Sequence, residues 1–465
     1  MERNLTEKKF GSGYFGEWII DEYDLPAYRY TCNQIKDPTA ISPTNEKWRL
    51  KTDHSHQVGN DRLVAVASNY GYIQVRQDEG APKLLNDYDP KRHQYGGGFG
   101  YLFDDDKIIT TYYTGKQKKF ERIFGIGYYR KKVEEHDLSI DQIIFAPFGD
   151  DPLLISKVKI INNRNKYVNL RWIEYWGSRM LQFSYKSFMK GIVSKKHTQD
   201  IRRNLTDRFM RKFSIIGNEL NGILEERLFK GYTFKGKILW GLLNIAVATI
   251  ARGYSGGAVK RPVKKATLED KNPPSSFLAS LDTPANGFFI DAGKFFGDGG
   301  PESPSGLHEN FNKNLNADYE VENPGIFLER KFSLEPGEIK TLYFTFGYLI
   351  EDKNLQELLN KYKDNYEHLF EDSCNNWKKN RIELALNDLK WVDRELHWHY
   401  YYLRSNLTYD TFFKEHILSQ GHVYQYLIGF QGASRDPCQH VLPFIFTNPE
   451  YVKEIIRYIL KTVKD

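Results

Sequence analysis

Up to about residue 350 the chain places apolar and polar residues in short alternating runs, and beyond Asp352 the period lengthens to that of a helix. The runs Leu63-Val64-Ala65-Val66-Ala67, Tyr72-Ile73-Gln74-Val75 and Ile108-Ile109-Thr110-Thr111-Tyr112-Tyr113, set off by Gly, Asn and Asp, read as strands. Leu154 to Ile161 and Tyr167 to Trp176 flank a turn at Asn162 to Asn165. Alternation on both arms predicts an antiparallel hairpin with one face in a core. A second hairpin is predicted for Phe327 to Phe332 and Ile339 to Phe346, around Glu335-Pro336-Gly337. Many strands joined by tight turns imply a large antiparallel β-sandwich over residues 1–350. The Gly- and Pro-rich stretch Asp291 to Gly306 reads as a long loop.

Leu355, Leu358, Leu359, Tyr362, Tyr366 and Leu369 recur at helical spacing, so residues 351–386 form a helical linker, its helix running from near Asn354 to Trp377. Two further helices are expected, at about Trp391 to Thr411 and about Pro449 to Val463, within a helical segment 387–465. The first of them is aromatic nearly all round. A segment this short is expected to leave some of that surface uncovered and in search of a partner.

Composition narrows the function classes only slightly. Lys plus Arg number 66 against 60 Asp plus Glu, a net +6 that does not point to nucleic acid. The three cysteines, Cys32, Cys374 and Cys438, are far apart and show no metal-knuckle spacing, which fits a reducing, cytoplasmic setting. Residues 1–9 lack a signal-peptide core, and Ile238 to Ala251 is too short and too polar to span a bilayer, so no membrane role is expected. Aromatic residues make up 15% of the chain. They suit either stacking against sugar rings or a large aromatic-packed β core.

Several local signals are set aside. His54-Ser55-His56 has strand spacing for a metal site but no third ligand nearby, so both read as hydrogen-bonding histidines and no metal is expected. Gly96-Gly97-Gly98-Phe99-Gly100 lacks the Lys-Ser/Thr pair and helix of a phosphate loop and reads as a tight turn beside a strand. The basic stretch 186–212 is interrupted by Asp200 and Asp207 and reads as a solvated face.

The motif that carries chemistry lies near the end: Gly429-Phe430-Gln431-Gly432-Ala433-Ser434-Arg435-Asp436-Pro437-Cys438-Gln439-His440. A guanidinium fork beside an acceptor carboxylate can hold vicinal sugar hydroxyls, and a buried ion pair tying two helices is the structural alternative. This segment, with the β-then-α order, resembles the inverting glycoside phosphorylases of the cellobiose and chitobiose phosphorylase family (glycosyltransferase 36 type) and their glucan-acting relatives. Pro336-Gly337-Glu338, Phe346-Gly347-Tyr348, Phe295-Phe296-Gly297 and the opening Gly16-Glu17-Trp18 to Tyr28-Arg29-Tyr30-Thr31 add weaker likeness.

The resemblance implies a supersandwich, a linker helix, and the first helices of an (α/α)6 barrel that is incomplete at residue 465. It also implies substrate contacts at Arg435, Asp436 and Gln439, with inorganic phosphate as co-substrate and no other cofactor. The reaction implied is phosphorolysis of β-linked gluco-oligosaccharides with inversion, in which one acid protonates the leaving oxygen while phosphate attacks the opposite face. Here Gln431 to Ser434 separate Gly-Phe from Arg-Asp, and His440 stands where the family has Asp. The family's acid lies in an Asp-Trp-Asn-Asp-like segment that is not found in this sequence, so no catalytic residue is assigned. The implied partners are an oligosaccharide and either a companion chain completing the barrel or a second copy. A non-catalytic carbohydrate-binding scaffold and an inverting hydrolase are the alternatives.

Overall fold

A computed structural model of the 465-residue chain describes residues 15–31, 54–79, 83–104, 107–182, 209–229, 270, 272–315, 321–351, 353–384, 390–418 and 435–462. Its centre is a ten-stranded antiparallel sheet in the spatial order Gly16–Ile20, Pro26–Tyr30, Lys119–Gly125, Tyr128–Glu135, Leu138–Phe145, Leu153–Asn162, Ile339–Tyr348, Ser276–Ser280, Gly222–Phe229, Phe209–Ile215. Two five-stranded sheets cover one face. One runs Lys107–Thr110, Gly97–Asp104, Val168–Gly177, Pro324–Leu334, Gly287–Asp291; the other runs Leu181–Gln182, Lys83–Leu84, Ile73–Gln77, Val64–Ser68, Ser55–Gly59. The expected large antiparallel sandwich, with helices late in the chain, is the observed architecture.

Strand periodicity explains the layering. Leu154, Val158 and Ile160 point to the core shared with the smaller sheets, alongside Ile140, Ile144, Trp172, Trp176 and Phe344. The opposite face of the same strands is also apolar at one end, through Ile143, Phe145, Leu153 and Ile155. That second face would meet water without a cover. It is buried by two helices, named after the short α1 (Ala292–Phe296): α2 (Leu355–Lys363) and α3 (Leu369–Lys379), through Leu359, Tyr362, Phe370, Cys374 and Trp377. Each such side chain contributes about 1.5–3 kcal/mol when fully withdrawn from water. The chain continues as α4 (Lys390–Arg404), a hairpin Leu407–Asp410 and Glu415–Leu418, α5 (Arg435–His440) and α6 (Pro449–Thr462).

The two predicted hairpins are not hairpins. Leu153–Asn162 pairs with Leu138–Phe145 and Ile339–Tyr348, whereas Val168–Gly177 pairs with Gly97–Asp104 and Pro324–Leu334 in the facing sheet. Both turns are arches that carry the chain across the core. Strands on either side of a core alternate in the same way as strands within one sheet, so periodicity does not decide between them. Asn162 joins the arches: its side-chain amide donates to the Lys166, Leu334 and Glu335 carbonyls at 2.9, 3.1 and 3.0 Å. Its backbone exchanges bonds with Glu338 and Gly337.

Other boundaries shift for local reasons. The expected loop from Asp291 to Gly306 contains α1, capped by the Asp291 side chain, with Phe295 and Phe296 fully buried in an aromatic cluster. The linker helix is two helices, broken between Lys363 and Leu369. The helix expected to reach Thr411 ends at Arg404, and Leu407–Asp410 is a strand. The aromatic face of α4 is covered after all: Tyr401 meets Trp377 at 4.9 Å, and Trp398 meets Trp18 edge-on at 4.9 Å. Exposed apolar surface lies instead on α6 and the turn before it, at Leu442, Ile445, Phe446, Ile456 and Leu460.

Candidate functional site

The Arg-Asp motif opens α5, a six-residue helix anchored by the buried ring of Pro437. Arg435 and Asp436 stand in its first turn, with the guanidinium Nε 3.3 Å from Asp436 Oδ1. The Arg435 side chain is 82% exposed and Asp436 35% exposed. Gln439, one turn on, is exposed as well. An exposed pair of adjacent residues contributes about 0–1 kcal/mol, so it does not act as a buried brace between helices. Gly429 to Ser434 lie outside the described residues.

The helix rests on the strand Glu415–Leu418 and on α6. The strand was not expected from the sequence, whereas α6 was, and together they carry a dense polar network. Arg404, at the end of α4, forms a two-bonded pair with Asp61, Nε to Oδ1 at 2.7 Å and Nη2 to Oδ2 at 2.8 Å. Next to Asp61, Arg62 donates to Glu79 at 2.6 Å and to Asp150 at 3.0 Å. His416 lies between Asp150 and Glu454, and the Tyr451 ring meets it at 4.9 Å. Glu415, itself buried, accepts from Arg457 and Lys461 at 2.9 and 2.7 Å. The Arg457 hydrogen bond, helped by Lys461 and opposed by burial, holds the Glu415 carboxyl below its usual range. No sequence signal marks this cluster, because Asp61 and Arg404 lie 343 positions apart and Asp150 and His416 lie 266 apart.

The histidines near the N-terminus are structural, as expected. His54 bonds the Tyr30 hydroxyl at 2.8 Å. His56 is buried between Phe124 and Trp398, bonds the Gly125 carbonyl and the Tyr402 hydroxyl, and is pulled down by burial to about 4. No cluster of metal-ligating residues is present among the described residues. The glycine run is a close-packed strand entry, with Gly96 and Gly98 at positive φ. A Cβ on Gly100 would lie 2.3 Å from the Trp172 ring. The basic stretch lies largely outside the described residues.

A cleft of about 500 Å³ opens on the sandwich between Arg29, Tyr30, Lys118, Lys119, Glu121 and Lys132. No described residue from the C-terminal segment lines it, and Arg435, Asp436 and Gln439 lie elsewhere. Arg435 and Asp436 form an exposed fork and carboxylate beside the polar network that ties the segments after residue 390 to the sandwich.

Residues 258–365 match the family described as glycosyl hydrolase 94, supersandwich domain. A search of curated protein sequences finds no match. Among solved structures, one assigned as a kojibiose phosphorylase from the human microbiome aligns at 10% identity and TM-score 0.45, over 84% of this chain and 43% of that one. A bacterial glucoamylase in complex with acarbose aligns at 11% identity and TM-score 0.37, over 82% of this chain and 44% of that one. A polysaccharide lyase aligns at 10% identity and TM-score 0.31, over 66% and 34%. The chain thus spans under half the length of each of these proteins. The family match is the stronger finding, and it falls on the strands and linker helix that build one end of the sandwich and its cover.

Proposed function

We propose that this chain is the sandwich and leading helical part of a carbohydrate-active enzyme of the glycoside phosphorylase type. The match of residues 258–365 to the glycosyl hydrolase 94 supersandwich domain carries this reading. Arg435 and Asp436, with Gln439, bind hydroxyls of a β-linked gluco-oligosaccharide; their exposure leaves the fork and the carboxylate available for that role. Inorganic phosphate is the co-substrate and attacks with inversion, so that a single general acid suffices. That acid is unassigned in this chain. The reaction takes place in the cytoplasm.

The exposed apolar residues Leu442, Ile445, Phe446, Ile456 and Leu460 belong to the same reading. α6 already buries Ile455 on its inner side, so a helix that is apolar on a second side also calls for a cover there. A companion helical chain or a second copy of this one supplies it. Incubation of the chain with cello- or laminari-oligosaccharide, phosphate and the product of the adjoining reading frame is expected to release sugar 1-phosphate. Release of free sugar without need of phosphate would instead make it a hydrolase, and binding without turnover would make it a scaffold.

A further inference from the structure

His416, on the strand Glu415–Leu418, holds its ring between carboxylates from two different parts of the chain. Nδ1 lies 2.7 Å from Glu454 Oε2 on α6, and Nε2 lies 3.0 Å from Asp150 Oδ1, between the sandwich strands Leu138–Phe145 and Leu153–Asn162. A neutral imidazole has one N–H and one lone pair, so it donates to only one of these oxygens. Making both bonds requires the doubly protonated ring. We infer that His416 is held as an imidazolium that clamps α6 and its hairpin to the sandwich, and that raising the pH through the titration of this ring opens the clamp.

The surroundings fix the charge balance. Glu454 Oε2 also accepts the His416 backbone N–H at 2.9 Å, and Asp150 Oδ2 accepts from Arg62 at 3.0 Å. Arg62 is paired with Glu79 and sits 4.4 Å over the Tyr409 ring. Tyr409 and Tyr451 meet the imidazole at 5.2 and 4.9 Å, and behind Tyr451 lies the Asp61–Arg404 pair. Glu415, the neighbour on the strand, is occupied by Arg457 and Lys461. His416, Arg62 and Arg404 therefore face Asp61, Glu79, Asp150 and Glu454, and loss of the imidazolium leaves two cations among four carboxylates.

Burial opposes the charged ring, and the bonds and charges of Asp150 and Glu454 outweigh it, so the group titrates above its ordinary value. With a raised pKa, the stabilisation is complete below the unfolded value of about 6.5 and is lost as pH climbs through the folded one. Above that point one ring lone pair faces a carboxylate oxygen at hydrogen-bonding distance. The clamp stands whether or not α5 meets a saccharide.

The test uses the full chain labelled with 15N-histidine, the His416 signal being assigned by its loss in His416→Gln. Both ring nitrogens are expected to be protonated at pH 6.5, with a titration midpoint above about 6.5 that falls in Asp150→Asn. Amide exchange over 407–418 and 449–462, corrected for its intrinsic pH dependence, is expected to accelerate roughly tenfold or more across that midpoint. The strand Tyr128–Glu135 should not follow. A singly protonated ring at pH 6.5, a midpoint at or below about 6.5, or exchange in these segments that ignores the midpoint overturns the inference. If Asp150→Asn does not fold, the native titration decides alone.

Discussion

Replacing Arg404 by methionine removes a guanidinium while keeping most of the side-chain stem. Its two bonds to Asp61, at 2.7 and 2.8 Å, lie in a site where the two side chains are only 4% and 5% exposed. The guanidinium also covers Phe148 at 4.5 Å. Without it Asp61 remains buried with its ion-pair partner gone. Breaking a buried pair from one end destabilises by about 3–5 kcal/mol. Unit charges about 4 Å apart at an effective dielectric of about 20 give a similar figure, about 4 kcal/mol. We therefore expect Arg404→Met to lower stability by about 3–5 kcal/mol, and Asp61→Asn in the same chain to restore at least about 2 kcal/mol of it by removing the stranded charge. Urea unfolding followed by tryptophan fluorescence measures the total, and amide exchange over 390–418 shows whether the loss is local to the docked segment. A single variant that loses less than about 1 kcal/mol, or a double variant no more stable than the single, would refute the reasoning.

Three further outcomes follow from the geometry. Asn162→Ala removes the amide that satisfies three carbonyls of the paired arches, and is expected to lower urea stability by roughly 2–3 kcal/mol. Gly100→Ala drives a methyl into the Trp172 ring and the Ile173 carbonyl, and is expected to lower it by about 1–3 kcal/mol, with a change in tryptophan fluorescence. Glu415 has the opposite pH sign to His416. Its pKa is lowered by Arg457 and Lys461, so its stabilisation is present above the unfolded value of about 4.3 and fades as pH falls through the folded one. In Glu415→Gln, the acid-side decline in thermal unfolding midpoint should be shallower than in the native chain.

The strands were legible because each keeps one face on a core, and the change of period after Asp352 marked the passage from sheet to helix. Pairing was not legible. Leu153–Asn162 and Val168–Gly177 alternate as hairpin arms would, yet they face one another across the core, and the three carbonyls gathered by Asn162 belong to turns far apart in sequence. The expected loop after Asp291 misled because its glycines surround Phe295 and Phe296, which fill an aromatic cluster. At the candidate site, Arg435 and Asp436 stood out as adjacent residues of opposite charge in a recognisable motif. The network beneath them did not, because the adjacent Asp61 and Arg62 meet Glu79, Asp150, Arg404, His416 and Glu454 from other segments only through tertiary packing.

Saccharide binding at α5 is tested most directly by calorimetric titration of cello- and laminari-oligosaccharides into the chain, alongside Arg435→Ala and Asp436→Asn variants whose thermal unfolding matches the native protein. Saturable binding that weakens by about tenfold or more in each variant is the predicted result. Absence of binding by the native chain, or equal affinity in all three proteins, would contradict it.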